Sequence, residues 1–213
     1  MKLYSFFNSS TSYRVRIALA LKGLDYDYEG VNIREQKNRD ADYINNINPS
    51  AAVPALDDDG FRLGQSLAII DYLDQRYPEP RLIPLEPELR ARVLEFSSVI
   101  SSDIHPINNL RVLRYLQEEL QVTDAQKKKW YEHWVHEGLA MAERLLKAHR
   151  HGKWCFGDTP TLADCCLIPQ MANAERMGCD LSPFPLLLEV YNYATQQAAF
   201  QQAEPKAQPD FIA

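Results

Sequence analysis

The sequence predicts two domains of different structural class, an α/β domain over residues 1–81 followed by an all-α domain over residues 82–213. In the first domain short apolar runs alternate with helical patterns, whereas helical spacing prevails throughout the second. Between them, residues 77–84 contain three prolines, which favour an extended linker over a helix. The change of pattern and the linker together mark the domain boundary.

The α/β domain is predicted to have the element order βαβ–ββα. Its predicted elements are a strand at residues 3–7, a helix at 12–22, a strand at 26–33, a hairpin at 55–63 and a helix at 66–77. Gly23 is placed to end the first helix in a left-handed conformation, and the Asp-Asp-Asp-Gly run at 57–60 predicts the hairpin turn. Ser66 is predicted to cap the last helix, which Pro78 ends.

Helices of the second domain are indicated by apolar residues that recur at helical spacing. They are Leu89, Val93, Phe96 and Ile100 in one helix and Trp130, Trp134, Met141 and Leu145 in another. A further helix is predicted to begin with a capping box formed by Thr161 and Asp164, and to run towards Arg176. Together these helices predict a helical bundle.

Composition argues against several function classes. The formal net charge is −6, so no broad attraction to nucleic acid or anionic lipid is expected. No apolar run approaches the roughly 20 residues of a membrane span, and no signal-peptide layout follows Met1, so we expect a cytoplasmic protein. The four cysteines form no Cys-x-x-Cys pair and no Cys/His metal spacing, so we expect reduced thiols and no metal site.

A run of hydroxyl residues lies where the first strand gives way to the first helix. Ser9, Ser10, Thr11 and Ser12 bring hydroxyls and free backbone N–H groups to the positive end of a helix dipole. Such a place favours an anion. The alternative is that one of these serines only caps the helix, although four hydroxyls exceed what a cap requires.

Two further pairs of residues favour a ligand site in the same domain. Val53-Pro54 stands just before a strand, where a cis proline would leave the backbone of Val53 free to pair with an extended peptide. Gln65-Ser66 begins the last helix and offers an amide, a hydroxyl and helix N–H groups to a carboxylate. Each pair could be purely structural, but their occurrence in this order within one βαβ–ββα unit favours binding.

Residues 9–19 resemble the Ser-Ser-Cys-x-x-Arg-Val-Arg-Ile-Ala-Leu signature of the zeta-class glutathione transferases, also known as maleylacetoacetate isomerases. Further matches follow in register along nearly the whole chain: Asn48-Pro49, Val53-Pro54, residues 65–70, Gly157-Asp158, Ala163-Asp164, Pro169-Gln170, residues 173–176 and residues 180–183. The resemblance implies the glutathione-transferase fold, with a thioredoxin-like N-terminal domain and an all-α C-terminal domain. It also implies a homodimer that uses glutathione to isomerise maleylacetoacetate to fumarylacetoacetate in aromatic amino-acid catabolism.

A thiolate suits this reaction because its addition to a conjugated C=C bond makes that bond temporarily single and permits rotation. A free thiol has a pKa of about 8.5, and lowering it by roughly two pH units requires about 2.7 kcal/mol of differential stabilisation. The resemblance assigns that stabilisation to the hydroxyl of Ser9, aided by Ser10 and Thr11. It assigns the glutathione backbone to Val53 beside Pro54, and the γ-glutamyl carboxylate to Gln65 and Ser66.

Candidate contacts are also predicted in the second domain. Pro106 is expected to disturb its helix and turn polar side chains towards a cleft, which makes His105 and Asn109 candidate glutathione or substrate contacts. A structural role for His105 is the alternative. By resemblance, the guanidinium of Arg176 would bind a substrate carboxylate at two points; its alternative is a surface ion pair with Glu175 or Asp180.

Three departures from the family pattern bear on the substrate. Thr11 replaces the usual cysteine, which argues that this position need not act covalently. Asn8 and Leu110 stand where maleylpyruvate isomerases of the class carry arginines, which favours maleylacetoacetate over maleylpyruvate as the substrate. The second carboxylate would then use Arg111 or solvent, although Arg14 or Arg111 at the rim could compensate for the missing charges.

Two other functions stay open on the sequence alone. One is a general glutathione transferase acting on electrophiles such as α-haloacids. The other is a non-enzymatic, glutathione-fold protein that binds apolar ligands or partners. The intact Ser9, Val53-Pro54 and Gln65-Ser66 argue against the second of these, because a module that binds no glutathione has no need of all three.

Overall fold

A computed structural model describes residues 1–212 and divides the chain into two compact units. The first contains Met1–Ile83 together with the chain from Thr195 onward, and the second contains Pro84–Ala194. The first unit is α/β and the second is helical, as the sequence predicts. None of the helices formed by residues 1–212 is both long and apolar enough to cross a membrane.

The first unit is built on a four-stranded mixed sheet. Its elements in chain order are β1 (Lys2–Ser5), α1 (Ser10–Leu21), β2 (Asp27–Gly30), α2 (Ala41–Asn46), β3 (Ala55–Asp58), β4 (Phe61–Gly64) and α3 (Ser66–Arg76). The strand order is β2-β1-β3-β4, in which β1 and β2 are parallel and the other neighbours are antiparallel. This topology confirms the predicted thioredoxin-like domain.

The predicted left-handed position of Gly23 and the predicted hairpin turn are both confirmed. Gly23 has a φ of 62° just after α1, where its N–H donates to the carbonyl of Ala20. Asp59 and Gly60 have φ values of 52° and 92° and connect β3 to β4, with the N–H of Gly60 donating to the carboxylate of Asp57. The hairpin turn is therefore shorter than predicted, because the strand continues through Asp58.

A buried ion pair fastens the end of α3 to the linker. The Nζ of Lys22 lies 2.7 Å from the carboxylate of Asp74, and neither side chain is exposed to solvent. The same ammonium donates to the carbonyls of Tyr77 and Pro80, while Asp74 accepts from the N–H groups of residues 82 and 83. Every polar group of the pair is satisfied, which is the condition under which a buried ion pair can persist.

The second unit is a helical bundle, as predicted. Its helices are α4 (Pro87–Ser98), α5 (Leu110–Glu118), α6 (Asp124–His149), α7 (Leu162–Arg176) and α8 (Pro185–Ala194). The capping box predicted to open α7 is confirmed, since Thr161 accepts from the N–H of Ala163 and Asp164 accepts from the N–H of Thr161. Burial raises the pKa of Asp164, and the hydrogen bonds that it accepts oppose that shift.

The predicted apolar stripe of α6 is shifted by one position. Trp130 and its three predicted companions are only partly buried, and the buried face is formed instead by Tyr131, Val135, Gly138, Leu139, Ala142 and Leu146. Gly138 lies on this buried face. A Cβ there would lie 2.1 Å from the Cγ1 of Ile104, so only glycine permits this approach.

The C-terminal segment is the largest difference from the sequence-based division at residue 81. Helix α9 (Ala198–Ala203) and the residues after it group with the α/β unit rather than with the helical bundle. They are held there by α1, because Arg16 donates to the carbonyl of Ala203 and Tyr13 donates to the carbonyl of Phe200. Such long-range contacts leave no periodic pattern in the sequence.

Candidate active site

The hydroxyl of Ser9 caps α1. Ser9 occupies the N-cap position, is 8% exposed, and accepts a hydrogen bond from the N–H of Ser12 over 3.2 Å. The capping interpretation is therefore correct for this residue, but it uses only the lone pairs of the oxygen. The proton of the hydroxyl remains available to a second partner at the positive end of the helix.

That proton is directed towards Thr11 in this structure. The Oγ1 of Thr11 lies 3.0 Å from the Oγ of Ser9 and donates to the carbonyl of Val53, also over 3.0 Å. Because a hydroxyl has one proton and the carbonyl can only accept, Ser9 is the donor in the contact with Thr11. The result is a directed chain of hydrogen bonds from Ser9 through Thr11 to Val53.

The backbone before Pro54 is held by side chains at three consecutive carbonyls. Ala51 accepts from Asn38, Ala52 accepts from Tyr43 and Asn48, and Val53 accepts from Thr11. The peptide bond between Val53 and Pro54 is cis. Within residues 1–212, the Val53 N–H donates to no backbone carbonyl, so this group is available to an extended ligand.

The start of α3 differs from the prediction in one respect. The N-cap position is held by Gln65, not by Ser66, and Gln65 has a φ of 66°, a strained conformation for a residue with a side chain. Ser66 is the first residue of the helix and is buried, with its Oγ accepting from Arg14 over 3.3 Å. Its hydroxyl proton therefore remains free for a ligand.

Two arginines of α1 are buried in the structure. Arg14 was expected at the rim of the site, but it is 2% exposed and lies against Ser66, so it cannot swing out from a surface position. Arg16 is fully buried and donates to the carbonyls of Phe6 and Phe7, which precede the hydroxyl run. Burial lowers the pKa of Arg16, and coulombic interactions with Tyr28 and other neighbours oppose this shift.

The phenol of Tyr13 is part of the core rather than of the site. It donates to the carbonyl of Phe200, and burial raises its pKa. A phenol with a raised pKa is a weaker hydrogen-bond donor, and the proton of this one already binds a carbonyl, so it is poorly suited to stabilise an anion. Tyr13 is therefore not a candidate donor to a bound anion, whereas Ser9 and Thr11 are.

The candidate residues of the second unit fall into two groups. The first surrounds Pro106, where a π-helix at Val99–Ile104 gives way to a 3₁₀ turn, which confirms the predicted disturbance. There the Nε2 of His105 lies 3.1 Å from the Nδ2 of Asn109, and the Oδ1 of Asn109 accepts from the N–H of Arg111. Arg176, at the end of α7, is exposed and donates to the Oδ1 of Asn173.

Comparison with known proteins identifies the family. A family model of the glutathione S-transferase N-terminal domain matches residues 3–81. A maleylacetoacetate isomerase from Pseudomonas aeruginosa is 45% identical over 99% of this chain and 98% of its own length. Two solved maleylpyruvate isomerases match this chain over its full length and over theirs. One, from Pseudomonas aeruginosa PAO1, has 52% identity and a TM-score of 0.87. The other, a bacterial zeta-class enzyme, has 42% identity and a TM-score of 0.97. The chain belongs to the zeta class of glutathione transferases.

The first unit offers groups of the kinds that bind glutathione. A maleylacetoacetate isomerase from Anaeromyxobacter dehalogenans 2CP-1 has been solved with glutathione in its active site; it is 40% identical over 99% of this chain and 97% of its own, with a TM-score of 0.88. An anionic peptide with a thiol needs a donor for sulfur, a partner for its backbone and donors for a carboxylate. The first unit provides Ser9, the free Val53 N–H, and Ser66 beside the buried charge of Arg14.

Proposed function

We propose that the chain is a glutathione-dependent cis–trans isomerase that converts maleylacetoacetate to fumarylacetoacetate in aromatic amino-acid catabolism. The observation that carries the proposal is the hydroxyl pair of Ser9 and Thr11 at the start of α1, linked to Val53. It occurs in a chain that matches isomerases of both maleyl substrates over nearly its whole length. Glutathione acts as a cosubstrate and is regenerated.

Glutathione supplies a thiolate, whose temporary addition to the C=C bond of a maleyl substrate allows rotation to the fumaryl form. The protein must keep that thiol ionised at neutral pH. Ser9 does so by turning its proton from Thr11 to the sulfur, while its oxygen keeps the N–H of Ser12. The first N–H groups of α1 have no partner within the helix and add positive potential at the same place.

The remaining contacts of the first unit hold the peptide part. Val53 pairs its N–H, and the second lone pair of its carbonyl, with the cysteinyl backbone, while Pro54 fixes the direction of the strand that follows. Ser66 donates its free proton to the γ-glutamyl carboxylate, aided by Gln65 and the start of α3. The buried positive charge of Arg14 also stabilises that carboxylate, because its guanidinium donates to the hydroxyl of Ser66.

Substrate carboxylates are assigned to the arginines of the second unit. Arg176 binds one carboxylate at two points, and Arg111 or solvent takes the other. His105 and Asn109 are further candidates for contacts with glutathione or substrate, and Asn8 is an uncharged residue on the loop before α1. These roles follow from matching motif positions and are open to test by substitution.

A specific observation also favours maleylpyruvate as the substrate: the relative with 52% identity is a maleylpyruvate isomerase. The two functions are separated by following the ultraviolet absorbance of maleylacetoacetate and of maleylpyruvate, each with and without glutathione. We expect turnover only with glutathione and a higher kcat/KM for maleylacetoacetate. Turnover of neither compound would contradict the isomerase assignment, and a preference for maleylpyruvate would establish the alternative substrate.

Replacement of Thr11 is expected to affect glutathione binding more than turnover. Thr11→Ala leaves the Val53 carbonyl without its side-chain donor, and a neutral hydrogen bond of this kind contributes about 0.5–1.5 kcal/mol. We expect KM for glutathione to rise by roughly tenfold or less and kcat to fall less than in a Ser9 variant. Steady-state kinetics decide this, with Thr11→Ser as the variant that keeps the hydroxyl; a loss of kcat in Thr11→Ala as large as in Ser9→Ala would contradict it.

The active form is proposed to be a homodimer in the cytoplasm. Phe61 at the start of β4 is 52% exposed and packs on Tyr72, an apolar surface of the kind that symmetric association covers. The structure records no disulfide at any of the four cysteines, which accords with a compartment that keeps thiols reduced. Sedimentation at micromolar concentration should give twice the chain mass of 24.5 kDa. A monomer under those conditions would refute the proposed assembly.

A further inference from the structure

The carboxylate of Asp210 connects the C-terminal segment to the loop between β1 and α1. Its Oδ2 accepts a hydrogen bond from the N–H of Phe7 over 3.1 Å, and its Oδ1 accepts from the hydroxyl of Tyr28 over 2.6 Å. The next residue, Phe211, packs edge-on against the ring of Phe7, with 5.4 Å between the ring centroids. Both carboxylate oxygens are therefore used, and one of them holds the loop backbone.

The backbone N–H and the backbone carbonyl of Phe7 both form hydrogen bonds that connect it to the C-terminal segment. Asp210 accepts from its N–H, and the guanidinium of Arg16 donates to its carbonyl over 3.0 Å. Arg16 in turn donates to the carbonyl of Ala203 in α9 over 2.9 Å. Since Phe7 precedes Ser9 by two residues, its position sets where α1 begins and where the Ser9 hydroxyl points.

The neighbouring strand leaves room for Asp210. Gly30 ends β2 and pairs with Ser5 of β1. A Cβ at position 30 would lie 3.2 Å from the Cβ and 3.4 Å from the Oδ2 of Asp210. A side chain at position 30 would crowd the Oδ2 of Asp210, the oxygen that accepts from the N–H of Phe7. Glycine at this position therefore leaves space for the hydrogen bond between Phe7 and Asp210.

We propose that Asp210 is a positioning residue for the thiolate site: by holding the Phe7 N–H it fixes the loop that carries Ser9. The inference rests on the proposed function of Ser9. Placement at this precision matters because a displacement of about 1 Å in a catalytic group can reduce the rate about 10²-fold. The C-terminal segment thus acts on the reaction through the backbone of Phe7, without touching the reacting atoms.

The test uses three variants of the full-length protein and one control. Asp210→Ala removes both hydrogen bonds, Asp210→Asn keeps an acceptor for the Phe7 N–H, and Tyr28→Phe removes only the phenol contact. Asp57→Ala is the control, because Asp57 likewise accepts from a backbone N–H and a side chain, but at the turn between β3 and β4. The measurements are kcat and KM, the thiol pKa of bound glutathione, amide hydrogen exchange of residues 7–12 without glutathione, and thermal unfolding.

We expect Asp210→Ala to reduce kcat roughly tenfold, a smaller loss than the reduction of about 10²-fold for a displacement of about 1 Å. The thiol pKa of bound glutathione should rise, and amide hydrogen exchange in residues 7–12 should become faster. Asp210→Asn should retain most of the activity, and Tyr28→Phe should lie between them. Unchanged thiol pKa and loop exchange in Asp210→Ala would overturn the inference, as would equal losses in Asp57→Ala. Should the wild type isomerise neither substrate, exchange and thiol pKa still decide the role of Asp210 independently.

Discussion

Replacing Ser9 with alanine is expected to reduce turnover by about 10²–10³-fold, the range for removing one preorganised donor from an anion-stabilising site. The thiol pKa of bound glutathione should rise towards the value of about 8.5 for a free thiol. Glutathione affinity should change little, because Val53, Gln65 and Ser66 still hold the peptide. Titration of the thiolate absorbance of the complex, together with kcat and the dissociation constant of glutathione, measures all three effects.

The structure adds a stability effect that must be separated from the catalytic one. Ser9 is the N-cap of α1, and losing such a cap costs about 1 kcal/mol. Thr123→Ala is the matched control, because Thr123 caps α6 in the same way. It should lower the unfolding temperature comparably and leave the thiol pKa unchanged. Ser9→Thr, which keeps both hydroxyl and cap, should recover much of the activity.

Two outcomes would remove Ser9 from the mechanism. One is an alanine variant in which both the thiol pKa and turnover match those of the wild type. The other is a loss of turnover in Thr123→Ala equal to that in Ser9→Ala, since the effect would then reflect helix stability alone. In either case the helix dipole and the neighbouring hydroxyls, and not that of Ser9, would be left as the source of thiolate stabilisation.

The sequence predicted those features of the fold and site that depend on local rules. The left-handed Gly23, the turn at Asp59 and Gly60, and the capping box at Thr161 each follow from the conformational preferences of a few adjacent residues. The two-domain architecture follows from hydrophobic periodicity. Family resemblance then added glutathione and the isomerase reaction, which no spacing of residues could have indicated alone.

The features that escaped prediction depend on contacts between distant parts of the chain. Arg14 and Arg16 lie in a helix that is buried nearly all round, so periodicity gave no sign that both guanidinium groups are interior. Asp210 contacts a residue about 200 positions earlier, which no local pattern can reveal. The close approach of Ile104 to Gly138 on the buried face of α6 is likewise a contact between separate parts of the chain.

Replacing Arg176 with alanine is expected to reduce kcat/KM for either maleyl substrate by about 1.5–3 kcal/mol of transition-state binding, the range for a hydrogen bond to a charged group. The loss should be shared by maleylacetoacetate and maleylpyruvate, because both present a carboxylate. Arg176→Lys should recover only part of it, since an ammonium keeps the charge but not the two-point contact. Arg92→Ala is the control, because Arg92 is another exposed arginine of the second unit, paired with Glu95.

Asn8→Arg is the complementary change and should act on one substrate only. Maleylpyruvate is the shorter dicarboxylate, so its two charges lie closer together and gain more from an added cation beside Ser9 than those of maleylacetoacetate. We therefore expect the ratio of kcat/KM values to move towards maleylpyruvate in Asn8→Arg and to stay nearly constant in Arg176→Ala. The structure strengthens this test: Arg14 is buried against Ser66, so it cannot supply the charge that Asn8 lacks. An Arg176→Ala variant with both rates unaltered would show that the substrate carboxylates are bound elsewhere. A wild type that already prefers maleylpyruvate would show that the missing charges at positions 8 and 110 do not decide the substrate.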